Sequence, residues 1–234
     1  MAVTPHPAQF SAELYSTFLD ITVPLSMVGI RRWLDPFAGV GNFFNLIPRD
    51  CWPESVGVEI EPEWASQREG VILGDSRHLV RMFGLDSFDG VISSPVYPNG
   101  MTDNFNAGAK SGRAYKRQTY RQSLGRPLSI GSTAGVGRGL TKWHNQMHTE
   151  IAREIVQVLR PGGHLLWNVK DVIVKGEIVD VVGWWKELWA ALGLLRWDAK
   201  MVPCPGYRYG QNRDLRVEEE AILCFVKPDD WMMP

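Results

Sequence analysis

Arg31-Arg32-Trp33-Leu34-Asp35-Pro36-Phe37-Ala38-Gly39-Val40-Gly41 is a short apolar run that ends in an acid and passes into a turn carrying two glycines. A run of this kind reads as a buried strand that opens into a polar loop. The pattern recurs downstream in Ser55-Val56-Gly57-Val58-Glu59-Ile60-Glu61, in Gly70-Val71-Ile72-Leu73-Gly74-Asp75-Ser76 and in Phe88-Asp89-Gly90-Val91-Ile92-Ser93-Ser94-Pro95. The polar residues that close the four runs, Asp35, Glu59, Asp75 and Ser94, are 24, 16 and 19 residues apart. One strand-helix unit of a parallel sheet consumes about that much chain. Four loops are therefore expected along one sheet edge, at the carboxyl ends of the strands, where open parallel sheets bind ligands.

The second half continues the pattern. Met147, Ile151, Ile155, Val158 and Leu159 lie at helical spacing, and Arg160-Pro161-Gly162-Gly163 is expected to stop that helix. His164-Leu165-Leu166-Trp167-Asn168-Val169-Lys170 reads as a fifth strand, and Val181, Val182, Trp185, Leu188, Trp189 and Leu192 as a second helical stripe with both tryptophans in the core. Residues 194–202 and 220–227 are expected to pair as a terminal antiparallel hairpin.

The chain has 234 residues, 44% of them hydrophobic and 22% charged, and three cysteines without a C-x-x-C pair. That composition excludes disordered, collagenous and disulfide-stapled chains and gives no metal site. No secretory or membrane-spanning segment is read, so a single cytoplasmic domain over residues 1–234 without membrane association is expected, as a monomer or weak homodimer. Lys and Arg number 25 against 26 Asp and Glu, so any affinity for a polyanion must come from local clustering. Residues 104–149 supply it: they hold no acid but contain Lys110, Arg113, Lys116, Arg117, Arg121, Arg126, Arg138 and Lys142. Glycine-rich and weakly periodic, residues 104–142 read as a basic loop insertion, a candidate target-recognition region.

Two glycines at a strand-to-helix turn let a ligand approach the backbone. Phe44 stands where a dinucleotide fingerprint has its third glycine, and Asp35 would repel a phosphate, so a cationic ligand suits the loop better. Asp35 can hold the ammonium of an amino acid, Glu59 both hydroxyls of a ribose, and Asp75 an adenine amino group. Taken in order, this series resembles the S-adenosylmethionine-dependent methyltransferases of the Rossmann-like class, as does Leu159-Arg160-Pro161-Gly162-Gly163 before the fifth strand. The resemblance implies an α/β fold with a mostly parallel seven-stranded sheet and a carboxyl-terminal antiparallel hairpin. It also implies S-adenosyl-L-methionine as cofactor, bound by Asp35, Pro36, Phe37, Gly39, Gly41, Glu59, Ile60, Asp75 and Ser76. His6-Pro7-Ala8-Gln9-Phe10-Ser11 is similar to the segment that covers the methionine end of the cofactor in DNA amino-methylating enzymes, which adds Phe10 and Ser11.

Ser94-Pro95-Val96-Tyr97 resembles the (Asp/Asn/Ser)-Pro-Pro-(Tyr/Phe/Trp) motif of enzymes that methylate exocyclic amino groups of DNA bases, as found in small solitary bacterial and phage methyltransferases. The amine lone pair is delocalised into the ring, so hydrogen bonds to the Ser94 oxygen and the Pro95 carbonyl must turn it toward the methyl donor. Tyr97 is expected to stack on the flipped base. Val96 replaces the second proline, which frees an N–H and relaxes φ. Serine at the first position favours cytosine N4 over adenine N6. Methylation at cytosine C5 needs a cysteine nucleophile that the loop lacks. Double-stranded DNA is the expected partner, held by Lys110, Arg113, Lys116, Arg117, Arg121 and Arg126, with Arg208 and Arg213 from the hairpin and with Tyr115 and Tyr120 free to stack. An RNA or small-amine methyltransferase and an inactive DNA-binding homologue are the alternatives.

Overall fold

The computed structural model describes residues 10–98, 120–135, 139–204 and 215–234. Helix α1, Ala12–Met27, opens the described chain: Ser11 Oγ caps it by accepting from Leu14 N at 3.2 Å, and Leu14, Phe18 and Ile21 bury one stripe. The next elements are β1 (Trp33–Asp35), β2 (Val56–Glu59), α2 (Pro62–Ala65), β3 (Val71–Leu73), α3 (Leu79–Phe83) and β4 (Phe88–Ser93). Beyond them lie α4 (Tyr120–Leu124), α5 (Lys142–Val158), β5 (Leu159–Val169), β6 (Val172–Val174), β7 (Glu177–Val179), α6 (Val181–Ala191), β8 (Leu195–Pro203) and β9 (Glu219–Val226).

Seven strands form one sheet in the order β3-β2-β1-β4-β5-β9-β8. The first five are parallel, while β9 runs antiparallel to both β5 and β8. Leu34, Val91, Leu165 and Phe225 lie in one register row and, with Trp167, Trp185 and Trp189, fill the core on one face. Their alternates Ile92, Leu166, Ile222 and Cys224 pack on the other face with Phe18, Trp33 and Phe43. Both faces are thus covered, as a parallel sheet requires. Strand order reverses between β1 and β4, which makes their carboxyl ends the crevice of the sheet.

Two local expectations need correction. After the glycine turn the chain does not enter an α-helix but two short 3-10 segments, Asn42–Leu46 and Arg49–Glu54, because Pro48 and Pro53 interrupt any longer ladder. Arg160-Pro161-Gly162-Gly163 is no turn before the fifth strand but a bulge inside β5: Phe88 pairs with Leu159 and Gly90 with His164. The helix does end where expected, at Val158 just before that segment, and Lys227 satisfies its last carbonyls: its buried ammonium donates to Val156 O and Leu159 O at 3.0 and 2.6 Å and to Asp86 Oδ1 at 2.9 Å. No helix among the described residues is long and apolar enough to cross a membrane.

The core also holds His148, which donates from Nδ1 to His144 O at 2.9 Å and whose Nε2 meets no hydrogen-bond partner among the described residues. Burial, reinforced by neighbouring His144, pushes its pKa down to about 3. Below the unfolded value of 6.5 the unfolded chain takes up a proton that the folded chain refuses, so stability falls with pH down to about 3. At pH 5 the loss is about 2 kcal/mol. His148→Leu is expected to shrink the drop in melting temperature between pH 7 and pH 5, read by calorimetry on both chains.

Candidate functional site

The site is built where β1 and β4 end. Asp35, the last residue of β1, is 4% exposed and accepts on Oδ1 from Phe37 N at 2.9 Å and from Ser93 Oγ at 2.6 Å. The Ser93 bond ties the first loop to the β4 loop across the point of strand reversal. Burial pushes the Asp35 carboxyl up to about 7, against both hydrogen bonds. Pro36 O accepts from Ser76 Oγ at 2.6 Å, so the loop after β3 is held to the same turn. Phe37 turns inward, its ring 5.9 Å from His148 and 6.0 Å from Trp167. Gly39 and Gly41 have φ of +53° and +80°, and a Cβ on Gly41 would meet Arg68 and Val71 within 3 Å. Glycine at 41 is therefore fixed both by its backbone and by its neighbours.

Glu59 closes β2 and reaches back to the turn. Its Oε2 accepts from Gly39 N at 2.9 Å and its Oε1 from Glu61 N at 2.7 Å, and burial pushes its pKa up to about 7. Two carboxyls with affinity for a proton near neutrality thus sit on one edge of the sheet. Ile60 beside Glu59 is half-buried. Asp75 and Ser76 follow β3, but Asp75 is not open: Arg77 donates to both of its carboxylate oxygens. An adenine amino group would have to share that carboxylate with the guanidinium.

Residues 120–135 lie over these loops. Ser129 donates from N and Oγ to Glu61 at 3.0 and 2.7 Å, and Gly131 sits against Arg77 and Asp75. Tyr120, Trp64 and Ala134 form a small apolar cluster onto which Val40 of the first loop and Val96 of the β4 loop pack. Val96 therefore gives up the stiffness of proline for an aliphatic contact with the covering segment.

Two expectations fail in this segment. Tyr120 is not free to stack on bases, being 8% exposed with its ring 5.6 Å from that of Trp64. Arg126 is not free for phosphate: its guanidinium donates to Glu61 Oε2 at 2.9 Å and to Glu63 Oε1 at 2.6 Å, and it also bonds Glu63 Oε2. These acids hold its pKa above the ordinary arginine range and it holds that of Glu63 below the usual carboxylate range. Arg121 lies on α4, whereas Lys110, Arg113, Lys116, Arg117, Arg208 and Arg213 fall outside the described residues.

In the β4 loop, Pro95 is buried and Ser94 and Tyr97 are half-buried. Ser94 Oγ donates to Tyr97 Oη at 3.3 Å, Tyr97 Oη donates to Glu220 Oε2 at 2.9 Å, and Asn168 Nδ2 donates to Tyr97 Oη and Glu220 Oε2 at 2.9 and 3.0 Å. Burial, then the Glu220 charge, lifts the Tyr97 phenol above its ordinary range. Sequence reasoning misses Asn168, Glu220, Glu61 and Glu63, whose partners lie far away along the chain. At the amino-terminal end, Ser11 caps α1, and Phe10 packs edge-on against Tyr15 and Phe18 at 5.7 and 6.4 Å, while His6 to Gln9 lie outside the described residues.

No protein-family model matches the chain, and no curated protein matches it either. Among solved structures it is similar to SpnF, a cyclase, over 96% of this chain and 85% of that one, at 14% identity and a TM-score of 0.54. It is similar to the PH0226 protein of Pyrococcus horikoshii over 93% and 92% of the two chains, at 14% identity and a TM-score of 0.50. A candidate DNA modification methylase from Thermus thermophilus, complexed with S-adenosyl-L-methionine, matches 69% of this chain at 18% identity and a TM-score of 0.42, and the chain spans 56% of that protein's length. What is shared at such identities is architecture, and that architecture is the Rossmann-like class I methyltransferase fold.

Proposed function

We propose that the protein is a site-specific methyltransferase that uses S-adenosyl-L-methionine to methylate the exocyclic amine of a flipped DNA base, cytosine N4 in preference to adenine N6. The observation that supports this reading is the 2.6 Å bond from Ser93 to Asp35, which ties the end of β4, just before the proposed amine-orienting Ser94, to the acid that suits a cationic cofactor. The residues present fit that cofactor. Two buried carboxyls near pH 7 favour a ligand that arrives with positive charge, and the positive-φ glycines leave the backbone open to close approach. Asp35 would hold the ammonium and Glu59 the ribose hydroxyls, since each Glu59 oxygen keeps a lone pair beyond its backbone bond.

When bound against Asp35 and Glu59, the cofactor would supply an electrophilic methyl group on sulfonium sulfur, with the sulfur as leaving group to the attacking amine. The chain's own part is orientation. Ser94 Oγ and the Pro95 carbonyl would accept from the amine N–H groups, which draws the nitrogen toward tetrahedral geometry and takes its lone pair out of conjugation with the ring, aimed at the methyl donor. Lys110, Arg113, Lys116, Arg117, Arg208 and Arg213, all outside the described residues, would supply phosphate contacts, and Arg121 one within them.

The test is incubation of unmethylated duplex DNA of varied sequence with isotopically labelled cofactor, followed by mass spectrometry of the released nucleosides. Labelled N4-methylcytosine is expected. Labelled N6-methyladenine keeps the mechanism and changes the base. Label on RNA or on a free amine but on no DNA base overturns the DNA reading, and label nowhere overturns methyl transfer.

A further inference from the structure

Two elements outside any sequence motif converge behind the β4 loop. Asn168 near the end of β5 is fully buried, and Glu220 near the start of β9 lies two residues before Ile222, its register partner. Both reach the phenol of Tyr97, and Asn168 Nδ2 also approaches Ser94 Oγ at 3.5 Å. A loop residue needed only for its ring would have no use for a carboxylate and an amide on its hydroxyl.

We infer that Glu220 is a positioning residue for amine methylation, setting the direction of a hydrogen-bond chain from Ser94 through Tyr97 and giving the amine proton its way out. The inference rests on the methyl-transfer reading above. A carboxylate only accepts, so the Tyr97 O–H is committed to Glu220 and the Tyr97 oxygen can only accept from Ser94. The Ser94 hydrogen is thereby drawn toward Tyr97, and the Ser94 lone pairs are presented to the amine. Were Glu220 neutral, Tyr97 could donate to Ser94 instead, and the Ser94 hydrogen would meet the amine with the wrong polarity. Asn168 supports the same direction, since its amide nitrogen donates to both Tyr97 and Glu220. After methylation the amine nitrogen holds one proton too many. It passes that proton to Ser94 Oγ as the Ser94 proton moves to Tyr97 Oη and the Tyr97 proton to Glu220 Oε2. The amine loses its positive charge, Ser94 and Tyr97 end as they began, and Glu220, neutralised and half-exposed, returns the proton to water.

Two measurements on full-length protein test this. The first is free of turnover: with 13Cζ-labelled tyrosine, the Tyr97 signal, assigned by its loss in Tyr97→Phe, is titrated in the parent chain and in Glu220→Gln. The titratable groups facing the phenol are Glu220 on β9 and Cys204 just past β8, to whose sulfur Lys170 just past β5 donates. Glu220→Gln is expected to lower the Tyr97 midpoint by about one pH unit; an unmoved midpoint overturns the inference. The second is steady-state methylation. Glu220→Gln and Tyr97→Phe are each expected to lower kcat about 100-fold with KM for DNA within threefold, and the double variant to be no worse than either. Formate is expected to restore part of the kcat of Glu220→Ala, which a merely structural role would not allow. A Glu220→Gln variant with full kcat overturns the inference and leaves methyl transfer intact. A parent chain that methylates nothing removes the reading on which it rests.

Discussion

Asp35→Asn is expected to make the protein more stable and to abolish cofactor binding. Asp35 accepts both of its hydrogen bonds on Oδ1, so an amide nitrogen at the Oδ2 position breaks neither. The carboxyl is raised by burial from 3.8 to about 7, which means the folded state binds its proton more tightly than the unfolded state does. Stability contributed by the protonated form is complete below pH 3.8 and is lost as pH rises to about 7. At pH 8 the ionised carboxylate costs the fold about 1–4 kcal/mol, which the neutral amide does not. A rise in melting temperature of at least about 2 °C at pH 8, vanishing near pH 4, is the calorimetric outcome. In parallel, titration calorimetry should show affinity for S-adenosyl-L-methionine reduced at least about 100-fold. In the parent chain that affinity should rise with pH up to about 7 as Asp35 ionises to meet the ammonium. Equal affinity in parent and variant would remove Asp35 from the site. Glu59→Gln is a poorer probe, because both Glu59 oxygens accept backbone N–H groups and an amide nitrogen would face one of them.

Arg126→Ala is expected to release residues 120–135 from the loops they cover. Glu61 is 1% exposed and would lose its guanidinium partner, which costs about 3 kcal/mol for a buried charge left unpaired. Proteolytic cleavage within 120–135 should then be about 100-fold faster, since cleavage tracks the open population. Cofactor dissociation should quicken as well, because the segment packs on Val40 of the first loop and reaches Asp75. Adding Glu61→Gln removes the orphaned charge and should slow cleavage again. If Arg126 serves DNA phosphate instead, the single variant would leave proteolysis unchanged and reduce the salt slope of DNA binding by about one.

The sheet was largely legible because its information is local. Each of β1 to β4 is an apolar run closed by a polar residue, and Trp185 and Trp189 are buried on the stripe that their spacing marks. Helix α1 carried a signal too, Ser11 followed by Leu14, Phe18 and Ile21, but likeness to a cofactor strap drew attention to the residues before it. The β6-β7 hairpin also announces itself, Val172-Ile173-Val174 and Glu177-Ile178-Val179 with five β-branched residues of six around Lys175-Gly176, whose φ angles of +52° and +85° are those of a tight primed turn. What could not be read is what joins distant chain. Arg126 looks like a free cation until Glu61 and Glu63 come within reach, and Tyr97 looks like a stacking ring until Glu220, 123 residues later, takes its hydroxyl. Charge counted along a segment says nothing of the acids packed beneath it.

Gly139 N donates to Pro98 O at 2.8 Å, so the chain beyond the β4 loop is tied again to its point of departure before α5 begins. The insertion between them leaves and rejoins the sheet at one point. Doubling its length would add only about 0.6 kcal/mol of closure entropy, and no strand would have to move. Because residues 120–135 of that insertion also pack on Val40 and hold Glu61, an exchange that spares the loops after β1 to β3 has to keep them and vary only the chain between positions 98 and 120.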